Sequence, residues 1–186
     1  MRFELLALAA AAAVVIASAG RAETGSSAPL GLGHTPPASQ ITAWDIDVRA
    51  DGAGLPAGSG TAIEGEPLFA DRCSACHGDH GEGQPADALV GGKGTLASAK
   101  PLRTVGSYWP YATTLFDYVR RAMPYDAPRS LTPDQVYALS AYVLWMNGIV
   151  AKDARLDRES LPRIVMPNRH GFIDASGEPH SQGAKP

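Results

Sequence analysis

An all-α domain, built from three principal helices around one covalently held group, is what this sequence predicts. Three observations carry the prediction. Thr61-Ala62-Ile63-Glu64 and Thr132-Pro133-Asp134-Gln135 both have the form of a capping box, in which a threonine hydroxyl takes a first-turn amide and the Glu or Gln reaches back. Apolar residues after each box, and again between residues 112 and 122, recur at helical spacing. Finally, Cys73-Ser74-Ala75-Cys76-His77 follows directly on the first helical stretch, and C-x-x-C-H is the attachment signature of c-type haem.

The spacing in that pentapeptide is mechanical. Two intervening residues put both sulfurs on one side of a helical turn, where they can add to the haem vinyl groups, and the next residue can swing an imidazole beneath the macrocycle as proximal ligand. Structural zinc needs about four donors, yet the chain has only 2 cysteines, so His and carboxylates would have to supply the rest. A thioredoxin-like C-x-x-C wants a βαβ context that the flanks lack. An incidental pair is the remaining alternative.

The 186 residues allow one domain with long extensions. Met1-Arg2, an apolar run from Leu5 to Ile16 and the small residues Ala17-Ser18-Ala19 read as a secretory signal peptide, cleaved after Ala19 or Ala22. The run is shorter than the ~20 residues of a spanning helix, so no membrane span is expected after cleavage. Export agrees with covalent haem attachment, which in bacteria takes place outside the cytoplasm. The net charge of −3 carries no general nucleic-acid footprint.

Residues 23–60 are rich in Gly, Pro, Ser and Ala, including Thr35-Pro36-Pro37 and the run from Gly52 to Gly58, and predict an irregular arm. Its apolar patch from Ile41 to Val48, with Trp44, is expected to lie on the core or on a partner. The core spans 61–152. Gly65, Leu68, Phe69 and Arg72 continue the first helix into the cysteines. Residues 78–94 hold Pro85 among many glycines and form a loop able to wrap a haem edge, a carbonyl near Pro85 taking the second ring N–H of His77. His80, too near to reach the opposite axial position, reads as surface. Arg103, Tyr108 and Trp109 offer a wall and hydrogen-bond donors for haem propionates, with ordinary core packing as the alternative. A helix over 112–122 presents Leu115, Phe116, Val119 and Ala122 and stops at Met123-Pro124, since proline drives its predecessor out of the α region. The last helix runs from Pro133 to Met146 and ends at Asn147-Gly148.

C-x-x-C-H leaves one axial position open. Of the 4 methionines, Met1 leaves with the signal, Met146 sits within a helix beside Trp145, and Met166 lies in the tail. Met123 stands on a bend with enough preceding chain to cross to the far haem face, and is the expected ligand beside His77.

Helix, C-x-x-C-H, glycine loop, helix, Met-Pro turn and final helix resemble the class I cytochrome c fold. Gly65 and Phe69 are similar to that family's small/aromatic pair crossing the last helix, with Tyr142 as partner. Ala43 to Arg49, Gly54 to Gly60, Thr104 to Tyr118, Arg121 to Pro124 and Met166 to Phe172 resemble the mono-haem cytochrome subunit of Sox-type sulfane or sulfite dehydrogenases. The resemblance implies one covalent haem c, a periplasmic electron-transfer role, a molybdenum-cofactor dehydrogenase subunit as donor and a downstream soluble cytochrome c as acceptor. It also makes the arm and the tail (153–186) docking surface, so that deleting residues 154–186 would weaken a complex but spare the haem spectrum. A free-standing shuttle cytochrome and, further off, a haem peroxidase-type enzyme are the alternatives.

Overall fold

A computed structural model describes residues 31–173; the expected signal peptide and the end of the tail lie outside them. The described chain divides at Ile41/Thr42 into two units. The Pro37 carbonyl accepts the amides of Gln40 (3.0 Å) and Ile41 (3.2 Å), starting helix α1 (Ala38–Trp44), whose residues 42–44 belong to the second unit. The stretch read as wholly irregular therefore holds a short helix, which the prolines before it start without disrupting.

The second unit, from Thr42 onward, is organised around three helices: α2 (Ala62–Arg72), α4 (Ala112–Ala122) and α5 (Pro133–Met146). A single turn, α3 (Ser74–His77), carries the second cysteine and the histidine. Both capping boxes form, Thr61 with Glu64 and Thr132 with Gln135. Helix α5 is buried without a break from Val136 to Leu144, so it is a central rod and not an amphipathic surface helix. Two of the polar side chains in that run donate to carbonyls. Ser140 Oγ donates to the Val136 carbonyl at 2.7 Å, and Tyr137 Oη to the Pro56 carbonyl at 3.0 Å.

Helix α2 crosses α5 at Gly65, where a Cβ would run into the Ala138 carbonyl. Only glycine lets the backbones approach this closely. Beyond that point Phe69 packs on Tyr142 with ring centroids 5.2 Å apart, the pairing expected from sequence. Helix α4 closes the other side through Leu115 and Phe116, the latter 4.5 Å from the Tyr137 ring.

The core does not end at residue 152. Strand β1 (Ser59–Gly60) pairs antiparallel with β2 (Leu156–Asp157), and a 3₁₀ turn follows at Leu161–Arg163. Leu156 (3% exposed), Leu161 (0%) and Met166 (1%) are core residues. The segment expected to await a partner is packed on its own domain, because its sparse apolar residues fall where the chain passes over α4 and α5. Arm residues 46–56 are also attached, though by other means. Leu55 is buried and Val48 packs against the core, while Trp44 stays 76% exposed. Of the two expected places for the patch, the core or a partner, Trp44 does not take the first; polar contacts to the backbone beside it hold this part of the arm. Among the described residues no helix is long and apolar enough to cross a membrane.

Candidate haem site

Cys73 sits at the junction of α2 and α3, and its carbonyl accepts the amides of Cys76 (3.1 Å) and His77 (3.0 Å). Cys73 is half-buried and Cys76 exposed. Burial pushes the Cys73 thiol up to about 11, since desolvation penalises the thiolate. Gly78, at φ 81°, then turns the chain back.

The following loop is tied to this turn by its own backbone. Gly83 N donates to the His77 carbonyl (2.7 Å), Ala86 N to the Cys76 carbonyl (2.9 Å), and Leu89 N to the Gly81 carbonyl (2.8 Å). These bonds carry the Asp87 carbonyl to 2.8 Å from His77 Nδ1. A carbonyl can only accept, so Nδ1 bears a hydrogen, and in the neutral ring Nε2 then keeps its lone pair. The acceptor is two residues beyond the Pro85 region named from sequence, and it does the expected work of fixing the ring. His80 is exposed, as expected; its amide donates to Glu82 Oε2 at 2.8 Å. Backbone amides of Glu82 itself and of His80 hold that carboxyl below the usual carboxylate range.

Met123 follows α4 as its cap, half-buried and extended (φ −120°, ψ 148°), with its amide on the Val119 carbonyl at 3.1 Å. The other two methionines among the described residues have packing roles. Met146 lies against the Gly81 turn of the glycine loop, and Met166 is inside the core. Of the three residues expected at the haem edge, two come together: the Arg103 guanidinium lies 5.6 Å from the Tyr108 ring centroid. Trp109 turns instead to Tyr118 on α4, at 5.8 Å and nearly perpendicular. Tyr108 also packs on Phe172 at 5.2 Å, and Asn168 Nδ2 donates to its carbonyl at 2.7 Å.

Sequence reasoning missed the residues that hold the loop in place. Asn147 does more than end α5: its Nδ2 donates to the Leu89 (3.1 Å) and Val143 (2.9 Å) carbonyls, and its Oδ1 accepts the Gly91 amide at 3.3 Å. Thr104 and Ser107 form a buried knot, with Thr104 Oγ1 donating to the Gly91 carbonyl (2.6 Å) and Ser107 Oγ to that of Leu102 (2.7 Å). The Thr-x-x-Ser spacing was the available signal, since such pairs make local turns.

These donors fit a covalent haem. Two thiols share one turn, and an imidazole is oriented with Nε2 free. A zinc site fits less well, for no group of three or more His, Cys, Asp and Glu side chains converges among the described residues. The cytochrome c family model matches residues 62–147. The solved structure of the sulfane dehydrogenase SoxCD from Paracoccus pantotrophus contains a chain 44% identical to this one, with a TM-score of 0.74 over 80% of this chain and 73% of that one. This chain belongs to the cytochrome c family. A curated thiosulfate dehydrogenase from Psychrobacter arcticus is 29% identical over 111 residues, covering 49% of this cytochrome but only 32% of the relative's length. As a family member this cytochrome carries haem c and has an electron-transfer role. Its 2 cysteines provide for one haem.

Proposed function

We infer that the chain is the electron-transfer subunit of a periplasmic sulfur-compound dehydrogenase, taking electrons from a molybdenum-cofactor subunit and passing them to a soluble cytochrome c. One observation carries this reading. The likeness to a chain of sulfane dehydrogenase SoxCD extends over 80% of this chain, well beyond the generic haem domain at residues 62–147. The segments outside that domain are where a dedicated partner would be recognised.

Each residue has a part. Cys73 and Cys76 would hold the haem as thioethers, and His77 would offer Nε2 to the iron, with the Asp87 carbonyl at 2.8 Å from Nδ1 keeping the ring from turning and raising its basicity. Met123 would supply the second iron ligand, and Arg103 and Tyr108 would line the haem edge, while Trp109 packs on Tyr118. Bound haem supplies a one-electron iron couple, and His/Met ligation would leave no open position and so favour electron transfer over oxygen or peroxide chemistry.

Met123→Ala should abolish the sulfur-to-iron charge-transfer band at the red edge of the ferric spectrum; a band that persists overturns the ligand assignment. Co-expressed with its molybdenum subunit, the cytochrome should be reduced by sulfite or by thiosulfate-derived sulfur, and should not be reduced when alone. Peroxide turnover by the isolated holoprotein would instead revive the enzyme alternative.

A further inference from the structure

The arginines on either side of Met123 both reach the same stretch of the N-terminal arm. Arg121 directs Nη1 to Asp47 Oδ1 at 2.5 Å and Nη2 to Asp117 Oδ2 at 2.6 Å. Asp117 in turn accepts the Val48 amide through Oδ1 at 2.9 Å, and Arg120 Nη1 donates to the Ile46 carbonyl at 3.3 Å. On the far side of the methionine, Arg129 Nη2 donates to the Ala43 carbonyl at 2.9 Å. Arg129 does so from left-handed backbone, φ 66°, which a non-glycine residue seldom adopts. Residues 43–48 thus lie across both the end of α4 and the turn that follows it.

Apart from Pro124, which is buried at its base, that turn has little else to hold it. Its internal hydrogen bonds are local, Ala127 N to the Pro124 carbonyl (3.0 Å) and Ser130 N to that of Ala127 (3.3 Å). Tyr125 at its tip is 88% exposed. Among the described residues, the Arg129–Ala43 bond is the one hydrogen bond from residues 124–130 to a distant part of the chain.

We propose that arm residues 43–48 are a strap that keeps the Met123 turn closed, so that Asp47, Arg121 and Arg129 are positioning residues for the axial methionine. The proposal rests on the reading of Met123 as ligand. A turn in equilibrium between closed and open states admits an outside ligand in proportion to its open fraction. The arm therefore sets how readily the methionine is displaced, although none of its residues touches the iron.

Imidazole binding to the ferric, full-length holoprotein reads that fraction. Two exposed contacts are lost in Asp47→Ala combined with Arg129→Ala, and imidazole should bind about three- to tenfold more tightly than to the wild type. Asp157→Asn serves as the control. It loosens the turn at Ser160, whose hydroxyl donates to Asp157 Oδ1 at 2.8 Å, and leaves the strap untouched. It should lower the melting temperature with imidazole affinity unchanged. Met123→Ala should bind imidazole most tightly, with no further gain when the strap substitutions are added. Should Met123→Ala alone tighten binding while the strap variant matches the wild type, the strap proposal fails and the ligand reading stands. Equal gains in the strap variant and the control would reduce the arm to general stabilisation and overturn the proposal. A Met123→Ala protein that keeps both its charge-transfer band and its wild-type affinity removes the ligand reading, and the strap with it.

Discussion

Residues 43–58 and residues 154–172 both cross the helical core without forming a long element of their own, yet they attach to it differently. The later segment buries three large side chains, Leu156, Leu161 and Met166. The earlier one buries only Leu55 among its large side chains and otherwise holds on through charged groups and backbone carbonyls, as with Asp47 to Arg121 and Ala43 to Arg129. Burial and surface polar contacts differ severalfold in strength, about 2–5 kcal/mol for a core Leu or Met cut to Ala against about 0.2–1 for an exposed ion pair. The C-terminal segment is therefore part of the fold, as is the arm around Leu55, whereas residues 43–47 are held by surface polar contacts that are far weaker.

Deleting residues 154–186 is the largest test of this difference. It strips those three side chains and the strand facing β1, a loss comparable with the whole stability of a typical domain, about 5–15 kcal/mol. The truncated chain should yield little or no folded holoprotein by circular dichroism and haem content. This outcome is the opposite of what a detachable docking tail predicts, and a truncated protein with normal spectrum and melting temperature would restore that view.

A smaller effect comes from Glu64, which links the first capping box to the C-terminal segment. The Thr61 hydroxyl and amide, then Arg155, hold its carboxyl below the usual glutamate range. Because the folded value is depressed, its stabilisation is present above the unfolded value, about 4.3, and is lost as pH falls through the folded one. Melting temperatures of the wild type and Glu64→Gln should therefore differ at neutral pH and converge as pH drops below about 4. A gap that stays constant through that range would show that the carboxylate's charge is not what matters.

The smallest effect on stability should come from Trp44→Ala. The ring is 76% exposed, so the melting temperature should move by no more than about 0.5 kcal/mol implies, whereas co-purification with the proposed molybdenum subunit should fall. Unchanged co-purification would leave the ring without a role in docking.

Much of the site was legible before any fold was known. The pentapeptide, the two capping boxes and the Met-Pro stop are local signals, each written within a few residues and satisfied by the backbone beside it. The segment from Leu156 to Met166 was not legible, because isolated apolar residues among breakers look alike whether they meet a core or a solvent. Asn147 was likewise read only as a helix end; that its amide bridges α5 to the glycine loop depends on residues 56–58 positions away in sequence. Gly65 lies between these cases: its resemblance to a crossing residue was visible, but the Ala138 carbonyl that forbids a side chain there was not.

The sequence alone pointed to one covalent haem, with Cys73, Cys76 and His77 as its proposed attachment, and to where the three long helices start and stop. Those properties depend on covalent chemistry and on hydrogen bonds within one turn, which neighbours in sequence can complete unaided. Which flanking segment belongs to the core, and that arginines before and after Met123 share one strap, were decided by tertiary contacts. Those contacts join residues more than seventy positions apart, and no local pattern records which long-range partner a side chain will meet.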